Sequence, residues 1–186
     1  VIQAMLTANL FKLPDAADVI KAAQAASKSR GVALVGERLL APAPTFGGGA
    51  NSLVTEMLGD DAIISSDFGG NPPYEKMKAV ARICFRHWLG QANVLFIIGG
   101  KSNNTDIYET LRAMADALRE HFSAYGPVPL YVVLGRGGPN LVRGMCALRD
   151  TCDALGLPYR LFGFDSDMSE VIQFAKRADT WMRAGG

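Results

Sequence analysis

Val94-Leu95-Phe96-Ile97-Ile98-Gly99-Gly100-Lys101-Ser102-Asn103-Asn104-Thr105-Asp106 is the stretch from which the rest of the chain is read. Its apolar run has strand length, and an unbroken apolar run marks a strand covered on both faces. A glycine pair closes the run. A helical pattern follows, with Ile107, Leu111, Met114, Leu118 and Phe122 on one stripe. The same order recurs at Thr45-Phe46-Gly47-Gly48-Gly49, at Asp67-Phe68-Gly69-Gly70 and at Leu134-Gly135-Arg136-Gly137-Gly138. A strand, a glycine turn and a helix start together favour an anion, because unpaired backbone N–H groups and the positive end of the helix dipole meet there.

Working outward, the apolar spacing predicts further elements. Asp15–Ser29 reads as an Ala-rich helix, Gly31–Gly36 as a short strand, Asn51–Leu58 as a short helix and Ala62–Ser65 as a strand. Pro42 and Pro44 make Arg38–Thr45 an extended connector rather than a central strand. Pro72 and Pro73 open a helix with Met77, Val80, Ala81, Cys84, Phe85 and Trp88 inward. Leu130–Leu134 and Tyr159–Phe162 read as strands. Between them Pro139 opens a helix carrying Leu141, Met145, Leu148, Cys152 and Leu155, which Gly156 closes. Asp167 with Glu170 is an N-cap pattern for a last helix.

Strands alternating with amphipathic helices imply a mostly parallel sheet of about five strands in an α/β flavodoxin-like three-layer sandwich. Ligands in such folds sit beyond the carboxyl ends of the strands, where the glycine clusters fall.

Bulk properties narrow the function. A chain of 186 residues, 49% hydrophobic and 20% charged, suits one α/β domain with a small N-terminal appendage. A net charge of +1 argues against a broad polyanion-binding face, so no nucleic acid partner is expected. No apolar run approaches the roughly 20 residues that span a bilayer, and no signal peptide is evident. A soluble cytoplasmic protein is the simplest expectation. Cys84, Cys146 and Cys152 lack metal-ligand spacing and read as small buried residues. The chain begins at Val1 rather than Met, as a piece of something longer would.

None of the glycine clusters is GxGxxG with a distant acidic residue, nor GxxxxGK[ST], so nucleotide phosphate loops are not supported. The loop after Gly100 offers amide and hydroxyl side chains at Asn103, Asn104 and Thr105. Arg136, between glycines, has a planar fork suited to a carboxylate. His87 and His121 fall within helical patterns, away from the strand ends. No Ser/His/Asp set or metal cluster stands out.

Ile97-Ile98-Gly99-Gly100, the Asn/Thr-containing helix start, and Gly135-Arg136-Gly137-Gly138-Pro139-Asn140 with Gly144 resemble the citrate-binding domain of ATP-citrate lyase. Gly156-Leu157-Pro158-Tyr159-Arg160-Leu161-Phe162-Gly163 and Met168 fit the same pattern. The β subunits of succinyl-CoA synthetase are wider relatives. The resemblance runs from Thr45 to Ala178. It implies a CoA-ligase domain over residues 45–186, with residues 1–44 an unmatched N-terminal helix and connector. It further implies an acid–CoA ligase that works through a phosphohistidine and an acyl phosphate. In the lyase, citryl-CoA is then cleaved to acetyl-CoA and oxaloacetate.

By motif position the resemblance places a citrate-like carboxylate on Gly70, Asn103, Thr105 and Arg136, joined from the loop chemistry by Gly100 and Asn104. ATP, Mg and CoA are expected on partner ATP-grasp and CoA-binding, phosphohistidine-bearing domains or subunits. No cofactor and no metal is assigned to this chain, which alone would be catalytically incomplete. Lys101 stands where the family pattern has a small residue. The rival expectation is a non-catalytic carboxylate-binding or regulatory module with the same fold. A flavin-binding flavodoxin would need a Ser/Thr-rich phosphate loop where Gly36-Glu37-Arg38 stands.

Overall fold

The computed structural model describes residues 39–46, 53–54, 56–59 and 71–185. The expected helix at Asp15–Ser29 and the expected strands at Gly31–Gly36 and Ala62–Ser65 lie outside the described residues, as do the glycines of the first two clusters.

In chain order the elements are β1 (Leu39–Phe46), α1 (Tyr74–Trp88), β2 (Ala92–Lys101), α2 (Ile107–Tyr125), β3 (Tyr131–Gly137), α3 (Leu141–Leu155), β4 (Tyr159–Phe162) and α4 (Met168–Arg183). Residues 53–54 and 56–58 are also helical. The described strands form one sheet in the order β1-β2-β3-β4, and every neighbouring pair is parallel.

Alternation along β2 sorts its side chains between two cores. Leu95 and Ile97 join Val132 and Leu134 under α1, α2 and α3. Val94, Phe96 and Ile98 join Val133, Phe162 and the inner face of α4. Val54 and Leu58 belong to this second core. Helices thus cover both faces, which is why β2 is unbroken in its apolar character. The three-layer α/β sandwich expected from the sequence is the fold observed, with four strands among the described residues.

The stripe on α1 is as read: Met77, Val80, Ala81, Cys84, Phe85 and Trp88 are its buried residues. The largest difference lies at β1. Pro42 and Pro44, whose missing N–H predicts a connector, sit in a strand paired with β2. The strand tolerates them because its register with β2 shifts at Leu39/Leu40 and again at Pro42/Thr45. Among the described strands it stands at the sheet edge, where a missing N–H need not break a second ladder.

The strand ends also differ from expectation. β2 continues through Gly99 and Gly100 to Lys101, and β3 continues through Gly135 and Arg136 to Gly137. These glycines belong to the strands rather than to turns after them. Helix α3 begins after a turn through Pro139, with Asn140 as N-cap at φ 58°, and ends at Gly156 at φ 66°.

On the outer helical layer, Lys78 Nζ lies 2.8 Å and Arg82 Nε 2.6 Å from the Glu120 carboxylate, joining α1 to α2. These contacts, Arg82 first, pull the Glu120 carboxyl from its ordinary 4.5 down to about 2. A carboxyl depressed by folding stabilises the fold above its unfolded pKa, and that contribution is lost as pH falls through the folded value. Glu120→Gln is therefore expected to lower the thermal midpoint by a few degrees at pH 6. Solvent screening at this exposed cluster keeps the effect small. The gap to wild type should close as pH falls from 4.5 towards 2, as followed by circular dichroism.

Candidate functional site

A cleft of about 370 Å³ opens at the carboxyl ends of β2, β3 and β4. Its floor is Ile98–Lys101 of β2 and Gly135–Gly137 of β3. Its far wall is the β4–α4 loop from Gly163 to Asp167, together with Met168 and Val171 at the start of α4. Parallel strands end together here and their last residues are rich in glycine, so backbone and solvent meet in a concavity.

Arg136 is the cationic centre of this floor. Only 4% of its surface is exposed, and its Nη1 donates to the Gly100 carbonyl at 3.0 Å. Burial pushes its pKa down to about 10. The guanidinium is still a cation at neutral pH, held where water contributes little to its solvation. Gly100 acts on it through a carbonyl, not through the N–H that a glycine turn would have offered. A second cation, Lys101, stands at the rim. Its ammonium lies 4.3 Å from the centroid of the Phe164 ring.

The opposite wall is acidic. Asp165 and Asp167 both line the cleft, but Asp167 serves its own helix. Its Oδ1 accepts the Ser169 N–H at 2.7 Å and the Ser169 hydroxyl. These bonds, the hydroxyl first, hold its carboxyl below the usual range.

Asn103, Asn104 and Thr105 lie on the loop after β2, outside the lining of this cleft. Asn103 and Asn104 are exposed and Thr105 is buried. The Thr105 hydroxyl accepts from the Asn71 N–H at 3.3 Å and from the Ser102 hydroxyl at 2.9 Å. Ser102 Oγ in turn accepts the Thr105 N–H at 3.0 Å. Asp106 caps α2 by accepting the Glu109 N–H at 3.2 Å, and it takes the Asn140 amide at 2.9 Å. The start of α2 is thus satisfied by its own loop, which ties the segments around Asn71, Ser102 and Asn140 together. Asp106→Ala removes both contacts and is expected to cost about 1 kcal/mol in urea unfolding, the usual price of a lost N-cap. Gly70 lies outside the described residues. The structure therefore brings Gly100 and Arg136 together in the cleft and sets Asn103, Asn104 and Thr105 beside it.

The β4–α4 wall was not picked out as site-forming from the sequence. Its signal was present: Gly163 follows a strand and Asp167 caps a helix, the same order as the other clusters, with one glycine instead of two.

Elsewhere, burial lowers the pKa of His121, and burial followed by Arg86 lowers that of His87, both away from the cleft. The cysteines are free thiols; Cys84 and Cys152 are buried and Cys146 is partly so. Burial pushes the Cys152 thiol up to about 12. No group of three or more His, Cys, Asp or Glu that could hold a metal occurs among the described residues. No described helix is long and apolar enough to cross a membrane.

The family model for the ATP citrate lyase citrate-binding region matches residues 43–178. The chain belongs to this family. It is 27% identical over 145 residues to ATP-citrate synthase alpha chain protein 2 of Arabidopsis thaliana, covering 71% of this chain and 34% of that protein. To the Homo sapiens ATP-citrate synthase it is 22% identical over 138 residues, 69% of this chain and 12% of that protein. The chain thus spans about a third of the plant alpha chains, at 34%. Among solved structures it shares its fold with ATP citrate lyase from Methanothrix soehngenii in complex with citrate and coenzyme A. That match has a TM-score of 0.65 and 23% identity, and it covers 76% of this chain and 39% of that one.

Proposed function

We propose that this chain supplies the carboxylate-binding cleft of an ATP-dependent, ADP-forming acid–CoA ligase of the ATP-citrate lyase type, with citrate or a related di- or tricarboxylate as ligand. The observation that carries the reading is a buried, charged Arg136 in a cleft at the carboxyl ends of three parallel strands. Family membership supports it independently. Residues 45–186 form the CoA-ligase-type domain in this reading. In the same reading Gly100 and Arg136 hold the ligand in the cleft. Gly70, Asn103 and Thr105 are assigned to it by motif position alone, and Asn104 by loop chemistry alone.

Arg136 would hold one carboxylate in a bidentate grip, with Gly100 fixing the guanidinium plane. A second carboxylate would then be oriented towards a phosphoryl group carried by a partner phosphohistidine. One of its oxygens attacks phosphorus, the P–N bond breaks, and the imidazole nitrogen takes the electron pair. The chain's own contribution is orientation and charge stabilisation at the cleft. ATP, Mg and CoA act on partner domains.

Titration calorimetry of the 186-residue chain with citrate tests the reading. Binding that Arg136→Ala removes is the expected result. No heat with citrate or related acids, together with an assembled enzyme indifferent to Arg136→Ala, would overturn it.

A further inference from the structure

Lys101 ends β2, and its register partner across the ladder is Gly137, the residue after Arg136. The bare Gly137 backbone is covered by two side chains. A Cβ built there would meet Phe164 Cδ2 at 2.9 Å and Lys101 Cγ at 3.1 Å. The lysine stem therefore runs across the end of β3, and its ammonium finishes 4.3 Å from the Phe164 ring centroid. All three residues line the cleft. Phe164 is 51% exposed, and a cation resting on an exposed ring is held only weakly. A carboxylate entering the cleft offers a charge-assisted hydrogen bond, which is the stronger contact.

We propose that Lys101 is a specificity-determining residue of this cleft: parked on Phe164 across Gly137, it supplies the second cation that makes the site prefer acids bearing more than one carboxylate. The inference rests on the carboxylate-binding reading of the same cleft and deepens it. A monocarboxylate is satisfied by Arg136 alone. A further carboxylate in the cleft would face Asp165 on the opposite wall, and among the described lining residues Lys101 is the cation besides Arg136 that offsets that repulsion locally.

The test is calorimetry on the 186-residue chain with two probes. Citrate is one. The other is 2-hydroxyisobutyrate, which keeps citrate's central hydroxyl and carboxylate and lacks its carboxymethyl arms. Wild type is expected to prefer citrate. Lys101→Met, which keeps the stem and removes the charge, is expected to weaken citrate about five- to tenfold and leave 2-hydroxyisobutyrate unchanged. Lys101→Arg should recover most of the loss, and Phe164→Leu should fall between. If Lys101→Met leaves the ratio of the two affinities as in wild type, while Arg136→Ala abolishes binding of both, the Lys101 inference fails and the carboxylate reading stands. If wild type binds neither acid, the carboxylate reading fails and the inference falls with it.

Discussion

Arg136→Ala is expected to weaken citrate binding a hundredfold or more while the chain still folds. Each charge-assisted hydrogen bond contributes about 1.5–3 kcal/mol, and a bidentate grip makes two. The wild-type side chain is well placed to deliver that energy. It is already desolvated, with 4% exposure, and already oriented by the Gly100 carbonyl at 3.0 Å, so little ordering remains to be done when the ligand arrives. Arg136→Lys keeps the charge and loses the planar fork, and a loss of about tenfold is expected. Thermal shift gives a second readout. Ligand at a hundred times its dissociation constant stabilises the wild-type fold by about 2.7 kcal/mol. That citrate-dependent rise in midpoint should disappear in Arg136→Ala. A variant that keeps the full citrate shift would show that the anion sits elsewhere.

The helical stripes were legible because burial is periodic: all the inward positions read on α1 are buried, and β4 spans the residues assigned to it. What was not legible follows from pairing. Pro42 and Pro44 read as a connector because Pro lacks a ladder donor. Nothing local to residues 39–46 announces that β2 accepts them through two register shifts. The glycine clusters misled in the same way. Glycine after an apolar run looks like a turn, yet Gly99, Gly100, Gly135 and Gly137 continue their strands, because parallel neighbours keep the ladder running past the apolar segment.

The site was half legible for a related reason. Arg136 and Gly100 stand out by residue type and position, and the structure places both in the cleft. The cap-capable run Ser102–Asp106 was read as ligand chemistry, and the structure gives its hydroxyl and carboxylate groups internal work. Ser102, Thr105 and Asp106 bond to one another's segments and to Asn71 and Asn140. A polar loop residue has the same signature whether it serves a ligand or a neighbouring loop, and only the fold decides which partner is near. The cleft's far wall, by contrast, comes from a strand–loop–helix connection whose single Gly163 matches the family pattern but carries no ligand-binding residue type of its own.

Gly138→Ala is expected to be strongly damaging, just beyond the cleft floor. The backbone there has φ +149°, a region L side chains rarely adopt, and a Cβ would lie 2.8 Å from the Ser102 carbonyl oxygen. Strain of this kind costs about 1–3 kcal/mol. The clash adds to it, because the obstructing atom is backbone and cannot rotate aside. Ser102 is itself fixed, since its N–H donates to the Gly137 carbonyl at 3.0 Å. A total loss of about 3 kcal/mol or more is expected, a fall of about 6–12 °C in thermal midpoint for a chain of this size. Gly137→Ala provides the contrast. There the crowding atoms belong to the Phe164 and Lys101 side chains, which can swing away, so stability should change little while selectivity for citrate drops. If instead Gly138→Ala melts with the wild type, the approach of the two loops is looser than the 2.8 Å contact implies, and the glycine after β3 is kept for some reason other than packing.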